Sequence, residues 1–322
     1  MGGEDWLDVH ARQAIADGDL EGPRLSIATR GLAPSNGYGK GRAGFDGPDE
    51  LRRAARENLS AGADFLKVFA TGGVASGSGL DTSAFGLEEM KVVVEEAERK
   101  RTYVAAHAHG GPGLQIAAES GVRTIEHAAV ATPADIEAML KHNCWVVATY
   151  SILFRPDGIE LGDAANPAIL DKVRWARETV AMASRQIFES GLRVALGSDS
   201  MHGSMAFEIQ TAVRFGMTPR QALLAATARA AEALRMQDRV GTLQPGRFAG
   251  RRPAPGPGGH RARPAGHEGR RGAARPGRTD RSEGALGEQE PVQALHLAGR
   301  QLRLGVGHGL GSGRDRQVLL VR

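Results

Sequence analysis

Short apolar runs alternate with amphipathic stretches along the chain from Arg24 to Gly250. The runs Arg24–Thr29, Asp64–Ala70, Tyr103–His109, Arg123–Ala128, Cys144–Tyr150 and Arg193–Ser198 are bounded by turn residues and rich in Val, Ile, Phe or Ala, a pattern that predicts strands. The stretches between them carry legible helix starts. Pro48, Pro133, Pro167 and Pro219 stand where a first helical turn tolerates proline, and Thr132, Asn166 and Thr218 are predicted N-caps. Gly62, Gly121 and Gly191 fall just past the helix ends, where a left-handed residue is needed. Strand and helix alternating six times predicts a parallel α/β fold.

Beyond Gly250 the pattern stops. Residues 251–322 contain no Lys, Ile, Phe, Tyr, Trp, Met, Asn or Cys, and are dense in Arg, Gly and Pro. Two domains are therefore expected: a folded body, 1–250, and a low-complexity tail, 251–322. The joint loss of residues with AT-rich codons also suggests a GC-rich gene read out of frame after Gly250. No function is read from the tail or its histidines.

Composition sharpens this picture in two places. The whole chain carries a net charge of +4, yet the tail holds 14 Arg against 6 acidic residues and the body is mildly acidic. A nucleic-acid partner is therefore not expected. The single cysteine, Cys144, excludes an internal disulfide framework. With no signal peptide and no apolar run of about 20 residues, a soluble cytoplasmic protein without a membrane partner is expected. Oligomeric state is open, a homo-oligomer included.

The chemistry begins with "FLKVFATGG". Alternate strand residues share a face, so Phe65, Lys67 and Phe69 point the same way, with Lys67 near the carboxyl end of its strand. A buried ammonium is costly unless paired, and lysine commonly loses its proton instead. A neutral amine there can form a Schiff base, or take up carbon dioxide and ligate a metal as a carbamate; ion pairing is the plain alternative. Other strand ends bias the choice. In "YVAAHAHGG" His107 and His109 share a face before a glycine turn, His127 ends "RTIEHAA", and Asp199 ends "RVALGSDS". Imidazole and oxygen donors without a cysteine cluster suit zinc or another divalent first-row ion, so a metal hydrolase is expected.

In this order and spacing, "DFLKVFATGG", "VAAHAHG", "GVRTIEHA" and "VALGSDS" resemble the amidohydrolase superfamily, nearest its imidazolonepropionase-like and Xaa-Pro dipeptidase-like branches. "GMTPRQALLAATARAAEAL" and "DRVGTLQPGRFA" are similar to that superfamily's last barrel helix and exit segment. The resemblance implies a TIM-like (β/α)8 barrel with one or two divalent metal ions, usually zinc, that hydrolyses amide or related bonds of a small-molecule substrate. It implies that Lys67 is the carbamylated metal bridge, that His107 and His127 are ligands, and that Asp199 is both ligand and proton carrier. It leaves His109 behind the ligands or near substrate. Tyr150, ending "WVVATY", is a candidate donor to the tetrahedral intermediate, with core packing the alternative, and His202 in "SDSMHG" a candidate substrate contact.

One departure stands out. The superfamily's first-strand His-x-His should precede Lys67, and only His10 stands there. The first two barrel strands and the C-terminal part of the family's β-sandwich are therefore expected to be absent, leaving six of eight strands, two exposed sheet edges and impaired activity. A metal-free Schiff-base lyase using Lys67 and an inactive fragment are the rival readings. The glycine-rich "TGGVASGSG" lacks the Walker lysine and reads as a mobile loop over the site. The stripe Ile209, Ala212, Val213, Phe215 and Met217 reads as a helix packed on the barrel.

Overall fold

Strands buried on both faces need apolar side chains toward their helices and a second packed layer inside. The computed structural model describes residues 6–39, 41, 43–163 and 166–248, and realises that arrangement with five short parallel strands. These are β1 (Leu66–Phe69), β2 (Val104–Ala108), β3 (Thr124–His127), β4 (Trp145–Ala148) and β5 (Arg193–Leu196), hydrogen-bonded in chain order. The helices are α1 (Leu7–Asp17), α2 (Gly47–Ser60), α3 (Leu87–Arg99), α4 (Gly111–Ser120), α5 (Pro133–Lys141), α6 (Ser151–Phe154), α7 (Ile159–Asp163), α8 (Pro167–Glu189), α9 (Met205–Arg214), α10 (Pro219–Ala225) and α11 (Ala228–Ala233). The arginine-rich segment 251–322, and with it the reading-frame question, lies outside the described residues.

The helix signals act as the sequence suggests. Thr132, Asn166 and Thr218 accept hydrogen bonds from the amides of Asp135, Ala168 and Gln221, with proline at the following position in each case. Gly62, Gly121 and Gly191 adopt φ of 100°, 95° and 85° after α2, α4 and α8. Between α2 and α3, the buried carboxylate of Glu96 takes hydrogen bonds from Arg52, Arg56 and Arg99. Ile209, Ala212, Val213, Phe215 and Met217 pack on the main core, as the stripe suggests.

The predicted strand Arg24–Thr29 is not one. Its backbone donors are taken by side chains instead of a ladder: the Ile27 amide donates to Asp64 Oδ2 at 2.8 Å and the Thr29 amide to Asp8 Oδ2 at 2.8 Å. The chain reaches β1 only at Leu32, whose amide donates to the Lys67 carbonyl and whose carbonyl accepts from the Phe69 amide. Six predicted strands thus become five and one isolated bridge.

Register divides the sheet cleanly. Leu66, Val68, Val104, Ala106, Ala108, Ile125, Val146, Ala148, Val194 and Leu196 face the helices and form the main core with them. The opposite face carries Lys67, Ala105, Thr124, Trp145 and Arg193 on one level. Phe69, His107, Glu126, Val147 and Ala195 form the next, nearer the carboxyl ends. Below them Phe65 and Tyr103 stack at 5.2 Å with Ala28 and Ala105, closing that end with apolar surface. Polar groups on this face are therefore raised to the carboxyl ends of the strands, where parallel α/β proteins place their sites.

Candidate active site

Lys67 is 1% exposed and Glu126 3% exposed. Burial pushes the amine down, against the opposing pull of Glu126 and Asp199, and pushes the Glu126 carboxyl up, against the pull of Lys67. Both groups are driven toward their neutral forms. Thr124 Oγ1 donates to Glu126 Oε1 at 2.6 Å, and the Lys67 Nζ stands 5.6 Å from the Phe69 ring centre. Glu126 was not singled out from the sequence, although strand alternation places it on the face of Lys67 and His107.

Three imidazoles gather beside this pair. Ring centres of His107, His109 and His127 lie 4.7 to 5.0 Å apart. Alternation alone would send His127 toward the helices, because it pairs with Ala108. A left-handed backbone, φ 78° at His127 and 48° at Ala128, turns the ring inward. Such a conformation costs a non-glycine residue about 1–3 kcal/mol and recurs where function demands it. Asp199 takes the same conformation, φ 49°, three residues after β5, and lies half-buried.

Hydrogen bonds bear on the imidazole tautomers. His107 Nε2 lies 3.2 Å from the Gly72 carbonyl oxygen, which can only accept, so the proton belongs on Nε2 and the lone pair on Nδ1. That Nδ1, and the Nδ1 of His109, are buried with no hydrogen-bond partner. His127 Nδ1 contacts Thr149 Oγ1 at 2.7 Å, leaving its Nε2 toward the cluster. Burial and mutual repulsion hold His107 and His127 well below the usual imidazole range, and burial with the Lys67 and Lys172 charges brings His109 to about 3. Three neutral imidazoles with two idle nitrogens have the chemistry of metal donors.

Other expectations fare differently. The hydroxyl of Tyr150 donates to Ser184 Oγ on α8 at 3.1 Å, and its ring packs edge-on to Phe215 at 5.2 Å. It lies in the helix-facing core, so Tyr150 is placed as a packing residue, away from the imidazoles. The physical reason is alternation, since Thr149 occupies the inner face. Tyr38 is the tyrosine beside the cluster, its ring 5.0 Å from that of His107. His202 is exposed on the loop after Asp199. Among the described residues, no group of three or more His, Cys, Asp and Glu side chains is arranged to hold a metal ion. The expected ligand set of Lys67, His107, His127 and Asp199 includes a lysine, and Asp199 is one of two carboxylates whose charge acts on Lys67.

Glu208 was also missed. It is buried on α9, accepts from the Tyr150 and Ser151 amides at 2.7 and 2.9 Å, and is pushed up to about 7 by burial. This carboxylate fixes the turn after β4. Its signal in the sequence is weak, because helix periodicity does not distinguish it from a solvated glutamate.

These shifts set a pH dependence for the metal-free chain. Each imidazole has a folded pKa below its unfolded one, so unfolding takes up protons as pH falls below 6.5 and stability is lost. Glu126 and Glu208, raised from 4.5, act with the opposite sign. The three imidazoles, joined by Lys67, outnumber the two carboxyl groups, so the net effect is a loss of stability on acidification. Urea unfolding of chelator-treated protein between pH 4.5 and 6.5 is expected to show stability falling on acidification; a constant or rising stability would contradict the burial of neutral imidazoles.

The chain is similar to several known proteins. The amidohydrolase family profile matches residues 6–249. The chain is 34% identical over 252 residues to ochratoxinase from Aspergillus niger, an alignment covering 68% of this chain and 51% of that protein. It is 31% identical over 175 residues to imidazolonepropionase from Rhodococcus jostii, covering 52% and 38%. It superposes on a Xaa-Pro dipeptidase crystallised with methionine in its active site, with TM-score 0.69 and 27% identity over 77% of this chain and 66% of that one. The chain thus spans about half the length of the ochratoxinase it matches.

Proposed function

Because this chain belongs to the amidohydrolase family, we propose that the group of side chains at the carboxyl ends of its strands hydrolyses an amide bond in a small molecule, with a divalent ion, zinc in the first instance, as cofactor. The observation that carries this reading is the idle, buried Nδ1 of His107 beside His127, whose Nδ1 is taken by Thr149 and whose Nε2 is left for the ion. A buried polar atom without a partner costs about 1–3 kcal/mol, and a cation removes that cost.

His107 through Nδ1 and His127 through Nε2 would hold the ion. A third donor would come from Lys67, whose buried amine is pushed toward its neutral form, as the amine or as the carbamate. When bound, the ion supplies Lewis acidity toward the scissile carbonyl and lowers the pKa of water toward about 7. Asp199 accepts the proton of the attacking water and delivers it to the departing nitrogen, for which its position after β5 and its partial burial suit it. Phe69, Tyr38 and the Thr71–Gly79 segment limit water around His107. The amide C–N linkage is supported by the relatives' kinds, an imidazolonepropionase and an Xaa-Pro dipeptidase.

A Schiff base on Lys67 is the competing use of a neutral buried amine. A panel of N-acyl amino acids, Xaa-Pro dipeptides and cyclic amides, assayed with added zinc and bicarbonate, decides between them. Hydrolysis abolished by chelator and restored by zinc is expected. Zinc-independent turnover with borohydride trapping of a carbonyl substrate would replace the hydrolase with the lyase.

A further inference from the structure

Among the described residues, the ladder between β4 and β5 ends where the Gly197 amide donates to the Ala148 carbonyl at 3.0 Å. Thr149 and Asp199 lie past that rung. Thr149 is buried, and its Oγ1 stands 2.7 Å from His127 Nδ1. A side chain beyond the end of a ladder keeps such a contact only if something else fixes its backbone.

Glu208, fully buried on α9, meets that need. Its Oε2 accepts from the Tyr150 amide at 2.7 Å, and its Oε1 accepts from the Ser151 amide at 2.9 Å and from the Ser151 hydroxyl. That hydroxyl also lies 3.4 Å from the carbonyl of Ser198, the residue before Asp199. Three donors thus converge on one side chain. An ionised carboxylate accepts from all of them, whereas an amide would turn an N–H toward one. Bonds to a charged acceptor are also about twice as strong as neutral ones. A serine or threonine would suffice to cap the four-residue α6, so the buried charge answers to a different need. We infer that Glu208 is a positioning residue for the metal site: by clamping the turn after β4 it holds Thr149 against His127 Nδ1 and keeps His127 Nε2 available to the ion. Its part in hydrolysis rests on the proposed function, whereas its hold on the imidazole requires neither metal nor turnover.

Long-range proton–nitrogen NMR on the metal-free 322-residue chain reads which nitrogen of His127 carries the proton. The measurement is made at pH 8, above the value of about 7 to which burial raises Glu208. The unaltered chain should carry the proton on Nδ1. Thr149→Val removes the partner and Glu208→Gln the clamp, and each should move the proton in part to Nε2. Competition with a zinc chelator then reads the coupling. Each variant should bind zinc about tenfold more weakly, and the double variant should fall within about twofold of the weaker single one, because both changes break one link. A Glu208 that only supports the fold would leave the proton on Nδ1 and add its loss to that of Thr149→Val, about 100-fold in the double variant. That result overturns the assignment, as does a proton on Nε2 in the unaltered chain. Should Glu208→Gln fail to fold, Ser151→Ala removes one donor and keeps the carboxylate. It should move the His127 signal in the same direction, and an unmoved signal overturns the assignment equally. If the unaltered chain binds no zinc while both variants move the proton, the hydrolase falls and the positioning role stands.

Discussion

His107→Asn is expected to lower zinc affinity by at least about 100-fold and amide hydrolysis with it, while leaving the fold intact. Partners that only orient a ligand already contribute about 10- to 100-fold, and a ligand itself carries more. His107 Nδ1 is buried with no partner, and its Nε2 has a single contact, to the Gly72 carbonyl. Asparagine can still offer an N–H to that carbonyl and removes the idle nitrogen. The metal-free variant should therefore melt within a few degrees of the parent protein, or higher. His142→Asn, at the C-cap of α5, is the control and should change neither property. Zinc content by elemental analysis and melting by circular dichroism make the comparison, and a variant that keeps its zinc would remove His107 from the site.

Lys67→Met should cost both activity and stability, and the two losses should separate in a double variant. The single change leaves Glu126 buried without its countercharge, and breaking a buried pair by removing one partner typically costs about 3–5 kcal/mol. Here the loss should be smaller, because burial already drives both groups toward neutrality. It should also grow from pH 5 to pH 8, as Glu126 is forced to ionise alone. Lys67→Met combined with Glu126→Gln replaces both groups by neutral ones of similar size and should recover the stability without the activity. Urea unfolding at the two pH values checks the first part. The panel with and without bicarbonate checks the second: bicarbonate should raise the zinc-dependent rate of the parent protein and have no effect in either variant. Recovery of activity in the double variant would show that Lys67 serves only as the countercharge of Glu126.

Much of the scaffold could be read before any coordinates. Five strand positions follow from apolar runs between turn residues, and the caps at Thr132, Asn166 and Thr218 follow from hydroxyl or amide side chains set before proline. The exception, Arg24–Thr29, has the composition of a strand, but its amides are claimed by Asp8 and Asp64, residues distant in sequence whose carboxylates no local pattern reveals. In the site, Lys67 and His107 obey alternation and were legible. His127 reaches the cluster only through a left-handed turn that histidine does not advertise. Glu126 was legible but passed over, and for Tyr150 the packing alternative is the one the structure shows, since counting by twos along "RTIEHAA" and "WVVATY" puts the glutamate inside and the tyrosine against the helices.

The central claim is that imidazoles from neighbouring strands, with Lys67, hold one cation. X-ray absorption at the zinc edge on zinc-loaded protein measures this directly. The account predicts nitrogen donors at about 2.0–2.1 Å with the multiple scattering of imidazole, lost in His107→Asn. A zinc shell made only of oxygen donors, the same in protein and variant, would contradict it.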